Sequence, residues 1–212
     1  MALHEARPFL IVTGLITVLA AWISLPFALL PGLAFAYILY FFRDPERPIP
    51  PDPLDIVSPA DGRVISVEIL EETAFQHGPM RRIAVFLSVF DVHVNRMPVA
   101  GRIIKSHHHA GEFLDARNPE IDVRNEAQNW LIETDRGPVV VRQIAGLIAR
   151  RIVAWAREGD SLDKGQRFGM IRFGSRTDVY LPVDCEVAVK AGDRVQGGSS
   201  VIARWPAAPQ KS

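Results

Sequence analysis

The longest hydrophobic segment of the chain runs from residue 8 to residue 42 and contains no charged side chain. Pro26 and Pro31 interrupt it, so that it falls into two halves, residues 9–25 and 27–42. Each half is close to the lower limit of about 17 residues for a helix that spans a bilayer. A signal peptide has a shorter apolar core, followed by a small-residue cleavage site. The pattern therefore predicts a hairpin of two apolar helices rather than a signal peptide.

Basic residues flank this segment at both outer ends, with Arg7 before it and Arg43 and Arg47 after it. Because positive charges stay on the cytoplasmic side of a membrane, both ends are expected to be cytoplasmic. Residues 1–42 are thus predicted to be a membrane hairpin that holds the protein at the cytoplasmic face of the cell membrane. Two alternatives stay open: a shallow re-entrant insertion, since both halves are short, and a buried hairpin of a soluble protein.

A proline-rich segment follows the hydrophobic one, with five prolines between residues 45 and 53. Each proline fixes its own φ and disfavours helix at the residue before it. Residues 43–54 are therefore predicted to be a stiff, extended connector, and residues 55–212 a separate domain.

Short runs with β-forming residues, bounded by Gly, Pro or Asp, dominate the rest of the chain. This spacing is typical of a mainly β domain of the sandwich or barrel type. The only helix expected in this part covers residues 145–155. The predicted strands include residues 63–69, 83–89, 99–105, 129–134, 138–144 and 184–190.

An internal repeat supports the β prediction. Residues 159–168 and 192–201 share the pattern Gly-Asp-x-apolar-x-x-Gly-x-x-apolar, and residues 62–64 resemble a fragment of a related hairpin. Such segments look like the hairpins of lipoyl and biotinyl carrier domains, which display a modified lysine at a hairpin tip. Counting from Ile171, the equivalent position is Ser175, which predicts a hairpin tip with a different reactive group.

Composition narrows the function classes. Lys plus Arg and Asp plus Glu each number 24, so the formal net charge is zero and nothing indicates a nucleic-acid partner. One cysteine, Cys185, excludes an internal disulfide and a multi-cysteine metal site. Residues 107–109 are three histidines, but neighbours in a strand point to opposite faces, so surface or substrate-phosphate contact is favoured over a metal site. No metal is expected.

The Gly174–Ser175 bond offers unusual chemistry, although Gly-Ser is also a common turn pair. It is predicted to lie between strands at residues 169–173 and 178–181. Glycine leaves its carbonyl unshielded, so the hydroxyl of Ser175 can attack it and convert the amide into an ester. Elimination then cuts the chain and leaves dehydroalanine, which hydrolyses to a pyruvoyl group, an electron sink that reacts with amines.

Two segments offer acid–base groups. Asp61 lies in a Pro- and Gly-bounded turn, where capping of its own backbone is the simpler interpretation. In residues 86–98, strand alternation predicts Asp91, His93 and Asn95 on one face, and the opposite face would carry Val92, Val94 and Arg96. A solvated strand face is the alternative, but a histidine there is a natural proton shuttle near neutral pH.

Four motifs, in this order, resemble phosphatidylserine decarboxylase proenzymes, most closely the short bacterial and archaeal subfamily. They are Ser-Pro-Ala-Asp-Gly (58–62), Asp-Val-His-Val-Asn-Arg-Met-Pro (91–98), Phe-Gly-Ser (173–175) and the Gly-Asp-x-Val-x-x-Gly-x-Ser ending (192–200). The resemblance covers most of the chain, including the apolar hairpin. It implies a membrane-bound lyase that converts phosphatidylserine into phosphatidylethanolamine and CO2.

The resemblance also implies roles for individual residues. The chain would cut itself between Gly174 and Ser175 into a β chain (1–174) and an α chain (175–212), which stay together as a heterodimer. Ser175 would become the pyruvoyl cofactor that forms a Schiff base with the substrate. Asp61 corresponds to the family's maturation aspartate, and His93 to the first histidine of a two-histidine motif. Association into a higher homo-oligomer is left open.

One position departs from the longer enzymes of the family, because Arg96 stands where they have a second histidine. An arginine stays protonated and cannot act as a base, so His93 is expected to serve both maturation and lipid turnover. Two other function classes remain as alternatives: a non-catalytic, membrane-anchored β-hairpin adaptor, and a serine hydrolase using Ser175 and His93. The hydrolase is disfavoured because the chain lacks a Gly-x-Ser-x-Gly elbow.

Overall fold

The computed structural model describes residues 2–113, 124–146, 151–172 and 174–207. The chain divides into two compact units, Met1–Pro45 and Glu46–Ser212. The first is helical and the second is built from strands. The prediction of a mainly β protein preceded by two N-terminal helices is thereby confirmed.

The first unit consists of α1 (Ala2–Ile23) and α2 (Leu25–Phe41), which pack against each other. The break lies at Ser24, earlier than the prolines suggested. Pro26 falls in the first turn of α2, where a missing N–H costs nothing, and Pro31 lies inside the helix. Helix α1 is long and apolar enough to cross a membrane, whereas α2, with 17 residues, is shorter. Most of the large apolar side chains of this unit are exposed.

The second unit contains one large sheet and two small ones among the described residues. The large sheet has eight antiparallel strands in the order β13-β2-β3-β11-β7-β6-β5-β9, and the small sheets have the orders β1-β14-β12 and β4-β10-β8. The strand bounds are β1 Asp55–Val57, β2 Gly62–Glu72, β3 Gly78–Leu87, β4 Val94–Arg96, β5 Gly101–His109, β6 Ala127–Glu133, β7 Val139–Ala145, β8 Ile152–Ala154, β9 Ser161–Leu162, β10 Arg167–Ile171, β11 Ser175–Leu181, β12 Glu186–Val187, β13 Arg194–Val195 and β14 Val201–Arg204.

The described strands of the large sheet leave two different edges, β13 and β9, so the sheet is open and the barrel part of the prediction is wrong. The main core joins one face of this sheet to residues of both small sheets. At its centre the rings of Trp130 from β6 and Phe168 from β10 meet edge to face, with 5.7 Å between centroids. The small sheets therefore cover one face of the large sheet.

The helix predicted at residues 145–155 is also wrong. Ala145 ends β7, and residues 152–154 form β8, which pairs with β10. Ile152 and Val153 are β-branched and fit a strand better than a helix. Residues 147–150 lie outside the described ranges.

The Gly-Asp repeat of the sequence is also a repeat of the fold. Its first glycine has a positive φ in both copies, +94° at Gly159 and +100° at Gly192. The first copy contains β9, which pairs with the start of β5, and the second contains β13, which pairs with the start of β2. Only a residue without a side chain adopts such angles readily, which explains the glycines.

The turns that lead into β2 and β5 are equivalent as well. In each, a glycine of the neighbouring repeat donates its backbone N–H to the first residue of the turn: Gly198 to Ser58 at 2.9 Å and Gly165 to Met97 at 2.8 Å. Residues 58–62 therefore correspond to residues 97–101. In this correspondence Asp61 occupies the place of Ala100.

Candidate active site

Ser175 is the first residue of β11, in the middle of the large sheet, where it pairs with Leu87 of β3 and Ala145 of β7. Its side chain is fully buried on the core side, and its Oγ has no hydrogen-bond partner among the described residues. A buried hydroxyl without a partner costs stability, so such a group in a folded protein calls for a functional explanation.

The strands before and after Ser175 contradict the expectation that this residue lies at the tip of a hairpin. Strand β10 pairs with β4 and β8, whereas β11 pairs with β3 and β7, so Ser175 does not lie at the tip of a hairpin. Gly174 has a φ of +46°, and a Cβ added there would meet no atom within 4 Å. Gly174 therefore adopts a left-handed backbone conformation. Its carbonyl has open space beside it, on the side where another amino acid would carry a side chain. Phe173 lies outside the described residues.

His93 lies next to the segment that leads to Ser175. Its backbone carbonyl accepts a hydrogen bond from the Ile171 N–H at 3.3 Å, and its ring is fully buried. The ring Nδ1 is 2.9 Å from the Asp91 backbone oxygen. Since a carbonyl can only accept, Nδ1 must carry the proton. In the neutral ring Nε2 is then the nitrogen that can take up another proton.

The segment around His93 is not the single strand that alternation predicted. Strand β3 ends at Leu87, and the Asp91 carboxylate accepts hydrogen bonds from the N–H and the Oγ of Ser88, at 2.8 and 2.6 Å. These bonds close a turn, so that β4 comprises only Val94–Arg96. The alternative of a solvated strand face is wrong as well, because His93 and Asn95 are buried.

Asp61 lies at the same end of the large sheet, directly before β2. Its carboxylate accepts hydrogen bonds from Arg47, at 2.6 Å, and from the backbone N–H of Gly197, at 2.8 Å. Burial raises the pKa of the Asp61 carboxyl above its ordinary value, and the Asp91 charge adds to this, although Gly197 and Arg47 act in the opposite direction. The net result is a carboxyl that takes up a proton more readily than an exposed aspartate.

Asn95 connects the segments that carry these three residues. Its Nδ2 donates to the Thr177 Oγ1, at 3.2 Å, and to the Pro59 carbonyl, at 3.3 Å. Its Oδ1 accepts from Gln143 Nε2 at 2.8 Å, and Gln143 Oε1 accepts from Trp130 Nε1 at 2.8 Å. Because the indole can only donate, it fixes the orientation of both amides in this chain of bonds. Sequence reasoning missed Gln143 and Thr177; an isolated amide within the apolar run of β7 was the available signal.

Comparison with known proteins agrees with the motifs. The family model for phosphatidylserine decarboxylase matches residues 34–203. A phosphatidylserine decarboxylase proenzyme of Symbiobacterium thermophilum is 49% identical over 205 residues, which cover 96% of this chain and 95% of that protein. Proenzymes of the same name from Geotalea uraniireducens and Carboxydothermus hydrogenoformans are 44% and 45% identical, each over 95% of both chains. The chain belongs to the phosphatidylserine decarboxylase family.

Membership of the phosphatidylserine decarboxylase family confirms the enzyme class expected from the four motifs, a decarboxylating lyase of phospholipid biosynthesis. It also removes the support for a non-catalytic adaptor. The likeness covers nearly the whole length of the relatives, and the family model spans the positions of Asp61, His93 and Ser175.

Arg96, the departure from the longer phosphatidylserine decarboxylases, has a structural position. It is buried, and its Nη1 donates to the Gly165 carbonyl at 3.1 Å. This bond links β4 to the turn of the first Gly-Asp repeat.

The three histidines at 107–109 end β5 and are exposed. His108 Nε2 lies 3.1 Å from Glu126 Oε1. Within the described ranges no group of three or more His, Cys, Asp or Glu side chains is arranged to hold a metal ion. Strand β5 is separated from β11 by β6 and β7, so these histidines do not join Ser175.

Proposed function

We propose that the chain cuts itself between Gly174 and Ser175, and that the new terminus at 175 carries a pyruvoyl group used to decarboxylate phosphatidylserine. The observation that carries this proposal is the buried Ser175 Oγ, which has no hydrogen-bond partner in the described part of the chain and directly follows a glycine of positive φ. The name proenzyme, carried by the relatives, agrees with a chain that is cut during maturation.

Self-cleavage needs a nucleophile, an accessible carbonyl and a base. The Ser175 Oγ attacks the Gly174 carbonyl carbon, a C–O bond forms, and the C–N bond to Ser175 breaks to give an ester. The hydroxyl proton passes to a base, for which the buried His93 is the best candidate, with Asp61 as the carboxylate that supports it. The proton taken from the hydroxyl is passed to the departing amine nitrogen. A base then removes the Cα proton of Ser175, the Cβ–O bond breaks and Gly174 leaves as a carboxylate. Water converts the resulting dehydroalanine into a pyruvoyl group and ammonia.

The residues around position 175 suit a pyruvoyl group. The start of β11 is buried, and the Ser175 hydroxyl forms no hydrogen bond with the described residues that maturation would break. When present, this group supplies a ketone that binds the substrate amine and takes up the electrons released with CO2. The protein itself excludes water by burial, and His93 is proposed to deliver the proton that replaces the lost carboxylate.

The two fragments are proposed to stay together. Strand β11, at the start of the small fragment, pairs with β3 on one side and β7 on the other. Both of these partners belong to the large fragment. Cutting one peptide bond before β11 leaves these pairings and the surrounding core in place, so the mature enzyme is a heterodimer of residues 1–174 and 175–212.

The proposed place of the enzyme is the cytoplasmic face of the cell membrane. Residues 1–42 form the membrane element, residues 43–54 the connector and residues 55–212 the catalytic domain. The exposed apolar side chains of α1 and α2 support this, for example Trp22, which is 88% exposed.

Reporter fusions at residues 4 and 50 should both give cytoplasmic signals. A periplasmic signal at residue 50 alone would mean one span and the opposite placement of the enzyme.

Reductive trapping tests the pyruvoyl proposal. Purified full-length protein in detergent, given phosphatidylserine and cyanoborohydride, should lose activity and gain the mass of the lipid on the fragment that starts at 175. Ser175→Ala should gain no adduct and produce no CO2. An active wild-type protein that never acquires the adduct on this fragment would contradict the proposal.

A further inference from the structure

Arg47 lies in the proline-rich connector, yet its side chain reaches the candidate site. Its Nη2 is 2.6 Å from Asp61 Oδ2, and the side chains of both residues are largely buried, 11% and 13% exposed. Ion pairs on the surface contribute little, but a charge left alone inside a protein is strongly unfavourable. This contact is therefore different in kind from the exposed ion pairs elsewhere on the domain.

The internal repeat shows that the turn does not need the carboxylate. Residues 58–62 and 97–101 adopt equivalent turns, and Asp61 corresponds to Ala100. A turn that forms with alanine at this place gains nothing essential from aspartate. The simpler interpretation of Asp61, a residue that caps its own turn, is therefore disfavoured.

The charges that face Asp61 come from three directions. Arg47 of the connector stabilises the carboxylate, as does the backbone N–H of Gly197 beside β13. Asp91, in the turn after β3, opposes it, and Asp91 is itself paired with Arg194 at 3.1 Å. Among the described residues, Arg47 is the cation in direct contact with Asp61. Its removal would leave the carboxylate with the Gly197 N–H as its described donor and with a neighbouring negative charge.

We propose that Arg47 is a positioning residue of the active site, which keeps the Asp61 carboxylate ionised and fixed while the chain cuts itself. This rests on the self-cleavage proposed above. The connector is then a functional part of the site as well as a spacer. Its neighbouring residue Glu46 pairs with Arg167 at 2.8 Å, which provides a second attachment of the same connector to the same domain.

Glu46 offers a matched control, because its side chain is 90% exposed and its described partner is Arg167, not Asp61. The full-length wild-type, Arg47→Gln, Arg47→Lys and Glu46→Gln chains are produced by cell-free synthesis with detergent. The rate at which each is cut is then followed on gels from mildly acidic to mildly alkaline pH. The readout is the shift of the midpoint of the acid limb between variants. Protonation of the base His93 and protonation of Asp61 both stop cleavage there, but Arg47 contacts Asp61, so a shift on replacement of Arg47 reports the change at Asp61.

Arg47→Gln should move this midpoint up by about one pH unit, since an adjacent cation lowers a carboxyl pKa by roughly one to three units. Below the midpoint it should therefore cut about tenfold more slowly than the wild type, because one pH unit is a factor of ten in protonation. Arg47→Lys should retain most of the wild-type profile, and Glu46→Gln all of it. An unchanged midpoint in Arg47→Gln would overturn the proposal, as would an equal slowing by Arg47→Gln and Glu46→Gln at every pH.

A folding test covers the case in which Arg47→Gln does not fold at neutral pH. Addition of Asp61→Asn should then restore folding, because the double variant no longer buries an unpaired charge. A double variant that stays unfolded would show that Arg47 acts elsewhere. A wild-type chain that folds but is never cut would instead refute the proposed function, so the two failures are distinguishable.

Discussion

Replacement of Asn95 by alanine should destabilise the β domain substantially, because one side chain joins three separate segments. Asn95 bonds to Thr177 of β11, to the Pro59 carbonyl before Asp61, and to Gln143 of β7. The carbonyl of Pro59 would keep a second donor, the Arg96 N–H at 2.9 Å. The side-chain N–H of Gln143 would lose its acceptor inside the core.

The expected loss of stability follows from these hydrogen bonds. A buried donor left without a partner costs about 1–3 kcal/mol, and a lost neutral hydrogen bond to Thr177 about 1 kcal/mol. Asn95→Ala should therefore lower the free energy of unfolding by about 2–4 kcal/mol. Thr177→Val is the matched control: it removes the acceptor of one bond while Asn95 keeps its bond to Pro59, so the expected cost is about 1 kcal/mol.

Urea unfolding in detergent, followed by circular dichroism of the strands, measures both changes. The Ser175→Ala background should be used for all variants, so that differences in maturation do not alter the chain being unfolded. A cost below about 1 kcal/mol for Asn95→Ala would refute the reasoning. An equal cost for the two variants would also refute it, since the stranded amide of Gln143 would then contribute nothing.

Three further outcomes follow from the structure. Gly174→Ala should lower the free energy of unfolding by only about 1 kcal/mol, because the added Cβ meets no atom but a φ of +46° is strained for alanine. The same variant should slow the appearance of the two fragments on a gel. Burial raises the pKa of the Cys185 thiol to about 11, so iodoacetamide near neutral pH should label the native protein on the order of a hundredfold more slowly than free cysteine, as mass spectrometry would show. His93→Ala should accumulate uncut and fail to release CO2 from phosphatidylserine; normal maturation and turnover would remove this residue from the site.

Local patterns explain which elements could be predicted from the sequence. The apolar segment before residue 43 and the Gly-bounded β runs are properties of neighbouring residues, so the helical hairpin and most strands were foreseeable. The prediction of a helix at residues 145–155 is wrong because pairing with β10 determines the conformation of residues 152–154. The prediction of a strand through Asp91 is wrong because the Asp91 carboxylate accepts hydrogen bonds from Ser88 and closes a turn.

The assembly of the site depends on contacts between distant residues, which periodicity cannot reveal. Ser175 looked like the tip of a hairpin because its neighbours are strands, but their partners, β3 and β7, lie far away in the chain. The bond from Gln143 to Asn95 spans 48 positions. Even the pair of Arg47 and Asp61, only 14 positions apart, requires the connector to fold back on the domain.

The intact masses of purified full-length protein test the central claim most directly, and the chain contains its own control. Gly198–Ser199 is a second Gly-Ser pair, with a glycine φ of +78° and a serine Oγ that also has no partner among the described residues, but it lies in a turn. Wild type and Ser199→Ala should both give two fragments that separate between Gly174 and Ser175, the smaller one with a blocked terminus. Ser175→Ala should give one uncut chain. Two fragments from Ser175→Ala, or a single active chain from the wild type, would contradict the account.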